Sequence, residues 1–317
     1  MQDKNYDIFK ILKEYYHENC APLIFVGEKK LSANTVCKMY FADVLEEKEL
    51  DNYKKVFQEY LALYVKSYDK LKYYSINDEL TEEQVSNALV SYSKSIWKNS
   101  SLIITDKPLT LGIYGELFND FYINIVKDEH ILITYASKRG YEEQNVRGVD
   151  IIGCTLEDNN LTLIFSESKF VSSVYSASGE LVHDIIGDDD YLGHVTKDYI
   201  NRYMIFVVNK THSIFSDRKD GKKILEILEQ LNSKISNNEE VIDVINQLNI
   251  KIRFTFFAIY SDNKYTPDER EKYFMDVINK FNQAIEETGI VNYDIEIVFI
   301  PTKNRSVALK GKMIEWN

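Results

Sequence analysis

The sequence predicts an α/β protein, a mixed sheet flanked by helices, and three observations lead there. Strand-length apolar runs over 130–136, 160–170, 252–260 and 294–300 alternate with stretches of helical period. An Asn159-Asn160 pair separates two such runs at hairpin distance. The 317 residues hold four prolines and 12 glycines with no Pro/Gly/Ser tract to act as a linker, and the 44% apolar fraction suffices for a core. We divide the chain into a mainly helical segment, 1–105, packed on a sheet-containing core domain, 106–317.

The elements follow in order. Residues 1–18 are charged and amphipathic, a short helix, and Leu23-Ile24-Phe25-Val26 is an apolar strand. A long helix is expected over 46–74, with Val56, Tyr60, Leu63 and Tyr64 at helical spacing. Thr81-Glu82-Glu83-Gln84 is a capping box that opens a helix to about Trp97. From Leu111 to Val126, Ile113, Leu117 and Phe121, flanked by Tyr114, Phe118 and Tyr122, mark a helix with a broad buried stripe. Strands at 130–136, 146–156 and 160–170 come next, the last two a hairpin turning at Asn159-Asn160. A helical region covers 172–205. Ile224, Leu225, Leu228 and Leu231 mark a further helix, and 241–248 a short one. The chain closes with strand 252–260, helix 267–287 and strand 294–300; Thr266, Pro267 and Glu269 cap that helix.

Composition excludes several function classes. No apolar run approaches the roughly 20 residues of a membrane span, and the charged N-terminus is unlike a secretory signal. Cys20, Cys37 and Cys154 have neither CxxC nor zinc-ligand spacing and read as reduced core thiols of a cytoplasmic protein. Gly221-Lys222-Lys223 lacks the rest of a phosphate-binding loop, no GxGxxG occurs, and Ser176 and Ser178 lack a nucleophile elbow. The net charge of −12 opposes unaided binding to nucleic acid.

Chemistry concentrates in "LTLIFSESKF". Side chains two apart share one face of a strand, so Leu161, Leu163, Phe165, Glu167 and Lys169 line one side, apolar first and charged at the exit. Buried charges must pair with each other, with a metal or with solvent. Asp150, in "RGVDIIG", lies nine residues before the turn and Glu167 eight after it, so the hairpin brings them together. Two adjacent carboxylates suit Mg²⁺ (or Mn²⁺), with Lys169 beside the ion to orient water and stabilise charge on phosphorus. This is the D-(x)n-E-x-K pattern of restriction-endonuclease-like nucleases, and the expected core is of that kind with a helical N-terminal portion. Glu28/Lys30 and Glu46/Lys48 also match Glu-x-Lys, without a matching strand or preceding Asp. Glu116, on the helix before the strands, is the fourth candidate, since such cores commonly receive a carboxylate from that helix. Lys138, Arg139 and Arg147 are the local candidates for phosphate contacts.

The block "GIYGELFNDFY … ASKRGYEEQNVRGVDIIG … NNLTLIFSESKF" resembles the HamA family, nuclease subunits of the Hachiman anti-phage defence system, over about residues 109–187. That family pairs a Gly-Glu helix, a Gly-x-Asp strand and a Glu-[Ser/Ala]-Lys-Phe strand in this order. Ser166 stands where a Gly is usual, and Val149 where a small or polar residue is more typical. The resemblance implies that Asp150, Glu167 and Lys169 form the active site, with Glu116 assisting. It also implies a superfamily 2 helicase partner, HamB, which restrains the nuclease until it meets phage-associated or damaged DNA. A partner of that kind would supply the DNA affinity that this acidic chain lacks. The competing reading is a non-catalytic regulatory or sensor subunit that keeps a nuclease-like fold and binds the helicase.

Other polar groups carry less. Asp188-Asp189-Asp190 reads as a solvated loop or helix cap. His183 and Asp184 follow the motif strand without a partner at ligand spacing, and His17, His130, His194 and His212 form no metal constellation.

Overall fold

A computed structural model describes residues 8–20, 24–30, 36–41, 60, 83–84, 87, 91, 108–134, 149–208, 220–261 and 267–302. Within them the architecture is the expected mixed sheet flanked by helices. Helix α1 spans Ile8–Asn19, β1 Ile24–Lys30, β2 Val36–Phe41, α2 Pro108–Phe121, β3 His130–Thr134, β4 Ile151–Glu157 and β5 Asn160–Val171. Then follow α3 (Val174–Ile186), the two-residue strands β6 (Gly187–Asp188) and β7 (Tyr191–Leu192), α4 (Lys197–Val208), α5 (Gly221–Ser236) and α6 (Val241–Gln247). Strand β8 (Lys251–Ser261), α7 (Pro267–Thr288) and β9 (Tyr293–Thr302) complete the described chain.

Seven strands form one sheet in the order β1-β2-β9-β8-β5-β4-β3. β3, β4 and β5 make an antiparallel meander, while β5, β8, β9 and β2 run parallel. Parallel neighbours need crossovers, which helices supply. Strands β5, β8 and β9 are largely buried on both faces, which is why their sequences read as near-continuous apolar runs.

The two faces differ in chemistry. Leu161, Leu163, Phe165, Ile252, Phe254, Phe256, Ile295, Ile297 and Phe299 point into the main core under α3, α4, α5 and α7. Phe165 stacks on Phe254 at 5.7 Å between ring centroids, and Phe254 meets Phe281 of α7 at 5.4 Å. The other face carries α2, with Phe118 against Phe257 at 5.3 Å, and the Ser166 hydroxyl donates to Asn119 Oδ1 at 2.8 Å. Burying one such aromatic side chain contributes about 1.5–3 kcal/mol, so these stacks fix the register of β5 against β8.

Several expectations are corrected. The hairpin turns at Asp158-Asn159, one residue earlier than expected: both have positive φ (49° and 68°) and Glu157 pairs with Asn160. A two-residue turn with both centres left-handed matches strand twist, and Asp and Asn tolerate that conformation. Strand β4 starts at Ile151, so Asp150 lies in a bend just outside it. The helical region 172–205 is broken: α3 stops at Gly187 (φ 71°), and residues 187–196 fold back as a strap before α4. The expected helix over 111–126 starts at Pro108 and ends in a π-helical turn, Tyr122–Val126. Strand β2 has no counterpart in the sequence reading, and it joins the N-terminal third to the sheet through its parallel pairing with β9. Glu28 and Lys30 do lie on a strand, β1. Of the expected helices over 46–74 and 81–97, Tyr60, Glu83, Gln84, Asn87 and Ser91 are described, all helical; Thr266 is outside the described residues.

Candidate active site

The site lies where antiparallel β4 begins and β5 continues, at the carboxyl end of the parallel strands, the usual position for ligands in such sheets. Ile151 pairs with Ser166, so Asp150 and Glu167 are the next residues outward on each strand. Beyond that pair β5 stays hydrogen-bonded to β8 as far as Val171↔Tyr260, which holds Glu167 and Lys169 on a rigid support.

Asp150 is fixed from two sides. Its Oδ2 accepts the Ser168 amide at 2.8 Å and the Ser168 hydroxyl at 2.5 Å. The preceding Val149 amide donates to the Tyr199 hydroxyl of α4. Lys169 Nζ lies 3.0 Å from Glu167 Oε1 and 2.6 Å from Asp184 Oδ2. Asp184 comes from α3, on the stripe that also buries Val174, Ala177, Ser178, Leu181 and Ile185. His194, on the strap, places Nδ1 3.6 Å from Glu167 Oε2, and its ring packs on Tyr199 at 4.6 Å between centroids.

Three carboxylates therefore surround one ammonium. Burial pushes the Glu167 carboxyl well above its usual range, and the Asp150 charge adds to this. Burial likewise raises Asp150, against the opposing pull of Lys169 and of the Ser168 hydrogen bonds. Burial opposes the charge on Lys169, but Glu167, Asp184 and Asp150 outweigh it and hold the ammonium well above its ordinary value. Burial is thus what chiefly raises the two acids, whereas the base rises because three carboxylates face one ammonium, which leaves negative charge in excess.

That excess bears on a metal. Glu167 Oε2 is buried and makes no hydrogen bond, an arrangement a cation would relieve. Among the described residues no three His, Cys, Asp or Glu side chains group as a ready-made metal cage. Mg²⁺ accepts one or two carboxylates and fills its remaining positions with water and substrate oxygen, so Asp150 and Glu167 fit that ion. They fit a closed zinc site poorly.

Asp150, Glu167 and Lys169 are thus brought together. Glu116 is half-buried on α2, on the opposite face of the sheet from Glu167 and Lys169. The neighbouring Gly115 meets β5 directly: a Cβ there would lie 3.3 Å from Ser168 Oγ. Glu116 is therefore beside the residue that holds Asp150. Lys138, Arg139 and Arg147 lie outside the described residues. Asp188, Asp189 and Asp190 are exposed in the β6–β7 turn, where His183 Nε2 meets Asp188 Oδ2 at 3.0 Å. Sequence reasoning set aside Asp184 and His194 and did not weigh Ser168. The signal for Asp184 was a charge on the apolar stripe of a helix; His194 had no comparable signal, because the strap's fold-back positions it.

Residues 16–308 match the family model described as HamA. No curated protein and no solved structure matches the chain.

Proposed function

The chain belongs to the HamA family and is thereby a protein of the Hachiman anti-phage defence system, and from that premise we propose that it is the system's metal-dependent DNA nuclease. The single observation that carries this reading is the convergence of Asp150, Glu167 and Lys169 at one strand end, with a buried Glu167 oxygen left without a hydrogen bond. Asp150 and Glu167 would hold Mg²⁺ or Mn²⁺, which when bound supplies a Lewis acid that activates water for attack on a phosphodiester. Lys169, rigidly paired, presents positive charge where phosphorus gains negative charge. Ser168 orients Asp150. Glu116 would assist from the α2 side, and Lys138, Arg139 and Arg147 would contact phosphate.

The charge of −12 supports a division of labour in which a superfamily 2 helicase partner brings DNA to the chain and holds it in check. Plasmid DNA incubated with the purified chain, with and without that helicase, in Mg²⁺ or EDTA tests the reading. Cleavage is expected in Mg²⁺ under activating conditions, lost in EDTA. It is also expected to fall at least ~100-fold in Glu167→Ala and Lys169→Ala, with the folded state and partner binding retained. Cleavage that survives in both variants sinks the site. Silence of the wild-type chain in every condition favours the non-catalytic regulatory subunit.

A further inference from the structure

Asp184 is a third acid in the site, absent from the D-(x)n-E-x-K pattern. It is 5% exposed, and its Oδ2 forms an ion pair with Lys169 Nζ at 2.6 Å, closer than Glu167 Oε1 at 3.0 Å. An ammonium has three donors and no acceptor, and here two carboxylates from different elements share it. The division matters for Glu167, itself 6% exposed: Oε1 takes Lys169, while Oε2 makes no hydrogen bond, His194 Nδ1 standing 3.6 Å from it, beyond hydrogen-bond distance. A buried ammonium answered by Glu167 alone would be drawn across both of that residue's oxygens. With Asp184 as a second partner at 2.6 Å, it stays paired with Oε1.

The end of α3 that carries Asp184 is itself clamped. The His194 amide donates to the Asp184 carbonyl at 2.7 Å, and the Val195 amide to the Ile185 carbonyl at 3.3 Å. Gly193 makes this approach possible, since a Cβ there would lie 2.4 Å from the Ile186 carbonyl carbon.

We propose that Asp184 is a positioning residue: it holds the Lys169 ammonium to one side of Glu167 and so keeps Glu167 Oε2 open to a divalent cation. The inference rests on the proposed function for the presence of that cation. It assigns Asp184 no contact with the metal or with DNA.

Mn²⁺ binding to the full chain, followed by electron paramagnetic resonance without DNA, tests it across wild type, Asp184→Asn, Asp184→Glu, Lys169→Met and the Asp184→Asn/Lys169→Met double variant. Asp184→Asn is expected to weaken Mn²⁺ binding roughly tenfold, in the range for residues that orient a ligand. Loss of one nearby negative charge is common to both backgrounds; the part carried by Lys169 disappears once the ammonium is gone. The same substitution in Lys169→Met is therefore expected to cost only about twofold. Asp184→Glu, which keeps the charge, is expected to retain most of the affinity; if Asp184→Asn does not fold, Asp184→Ser is measured in its place, and its loss, too, must shrink in the Lys169→Met background. Equal losses in both backgrounds overturn the role of Asp184 and make it a ligand or a through-space charge. Unchanged Mn²⁺ binding in Asp184→Asn also overturns it. Failure of the wild-type chain to bind Mn²⁺ overturns the cation site of the proposed function and this role with it.

Discussion

Glu167, Lys169 and Asp150 are held by short, directional contacts, and the least obvious of these is Ser168. Its amide and hydroxyl both end on one Asp150 oxygen (2.8 and 2.5 Å), so that carboxylate cannot swing when charge develops beside it. Ser168→Ala removes one of the two donors and leaves the strand intact. Its stability cost should stay near ~1 kcal/mol, while Mg²⁺-dependent cleavage should fall roughly tenfold. A variant as fast as wild type would show that the amide alone orients Asp150. The motif residues were legible in the sequence because a strand's two-residue period and a hairpin's symmetry are local facts. Asp184 was visible only as a charge on an apolar stripe, and its meeting with Lys169 depends on how α3 lies on the sheet.

At the level of elements, the strap between α3 and α4 shows what the periodicity missed. A helical region was expected over 172–205, yet α3 ends at Gly187 and the chain returns along it to place His194 against Glu167. The return needs Gly193, whose would-be Cβ has as its three nearest atoms backbone atoms of Ile185, Ile186 and Gly187 at 2.4 to 2.7 Å. Backbone cannot yield as a side-chain tip can. Gly193→Ala should therefore lower stability by about 1–3 kcal/mol and loosen the amides of His194 and Val195 in hydrogen exchange. Gly179, on α3 with nothing within 4 Å of its would-be Cβ, is the control. Gly179→Ala should stabilise by about 0.5–1 kcal/mol. If both substitutions prove neutral in thermal denaturation, the strap is not held as described.

Across the whole molecule, the two ends of the parallel sheet do different work. The carboxyl end holds the candidate active site. At the amino end, Arg253 is 3% exposed and is bound by Asp294 of β9 at 3.0 Å, by Glu129 before β3 at 3.0 Å, and by Glu157 of β4. One guanidinium thus joins β8, β9, β4 and the segment before β3, and truncating a buried pair of this kind costs several kcal/mol, on the order of 3–5. Burial works against ionisation of Glu157, but Arg253 and Lys251 prevail and hold it down at about 2. A depressed carboxyl adds stability above its unfolded value of 4.5, and that contribution is lost as pH falls toward about 2. Denaturant midpoints measured across this window should fall steeply in wild type and less steeply in Glu157→Gln. An unchanged slope would place the acid sensitivity elsewhere. Burial instead raises Glu129, to about 8, so it contributes nothing to that acid limb. Among the described residues no helix is long and apolar enough to cross a membrane.

By itself the sequence determined the order of strands and helices from 108 onward except across the strap at 187–196, the α/β class, and which residues, Asp150, Glu167 and Lys169, meet at one strand end. Each follows from local period, turn chemistry or register, which nearest neighbours along the chain dictate. Only the tertiary structure decided that β2 joins the sheet beside β9, that α2 and its Glu116 lie across the sheet from Glu167, and that Asp184 and His194 close round the site. These are contacts between residues far apart in sequence, or across a strap whose direction depends on one glycine. They are set by which faces bury one another, and no local pattern encodes that choice.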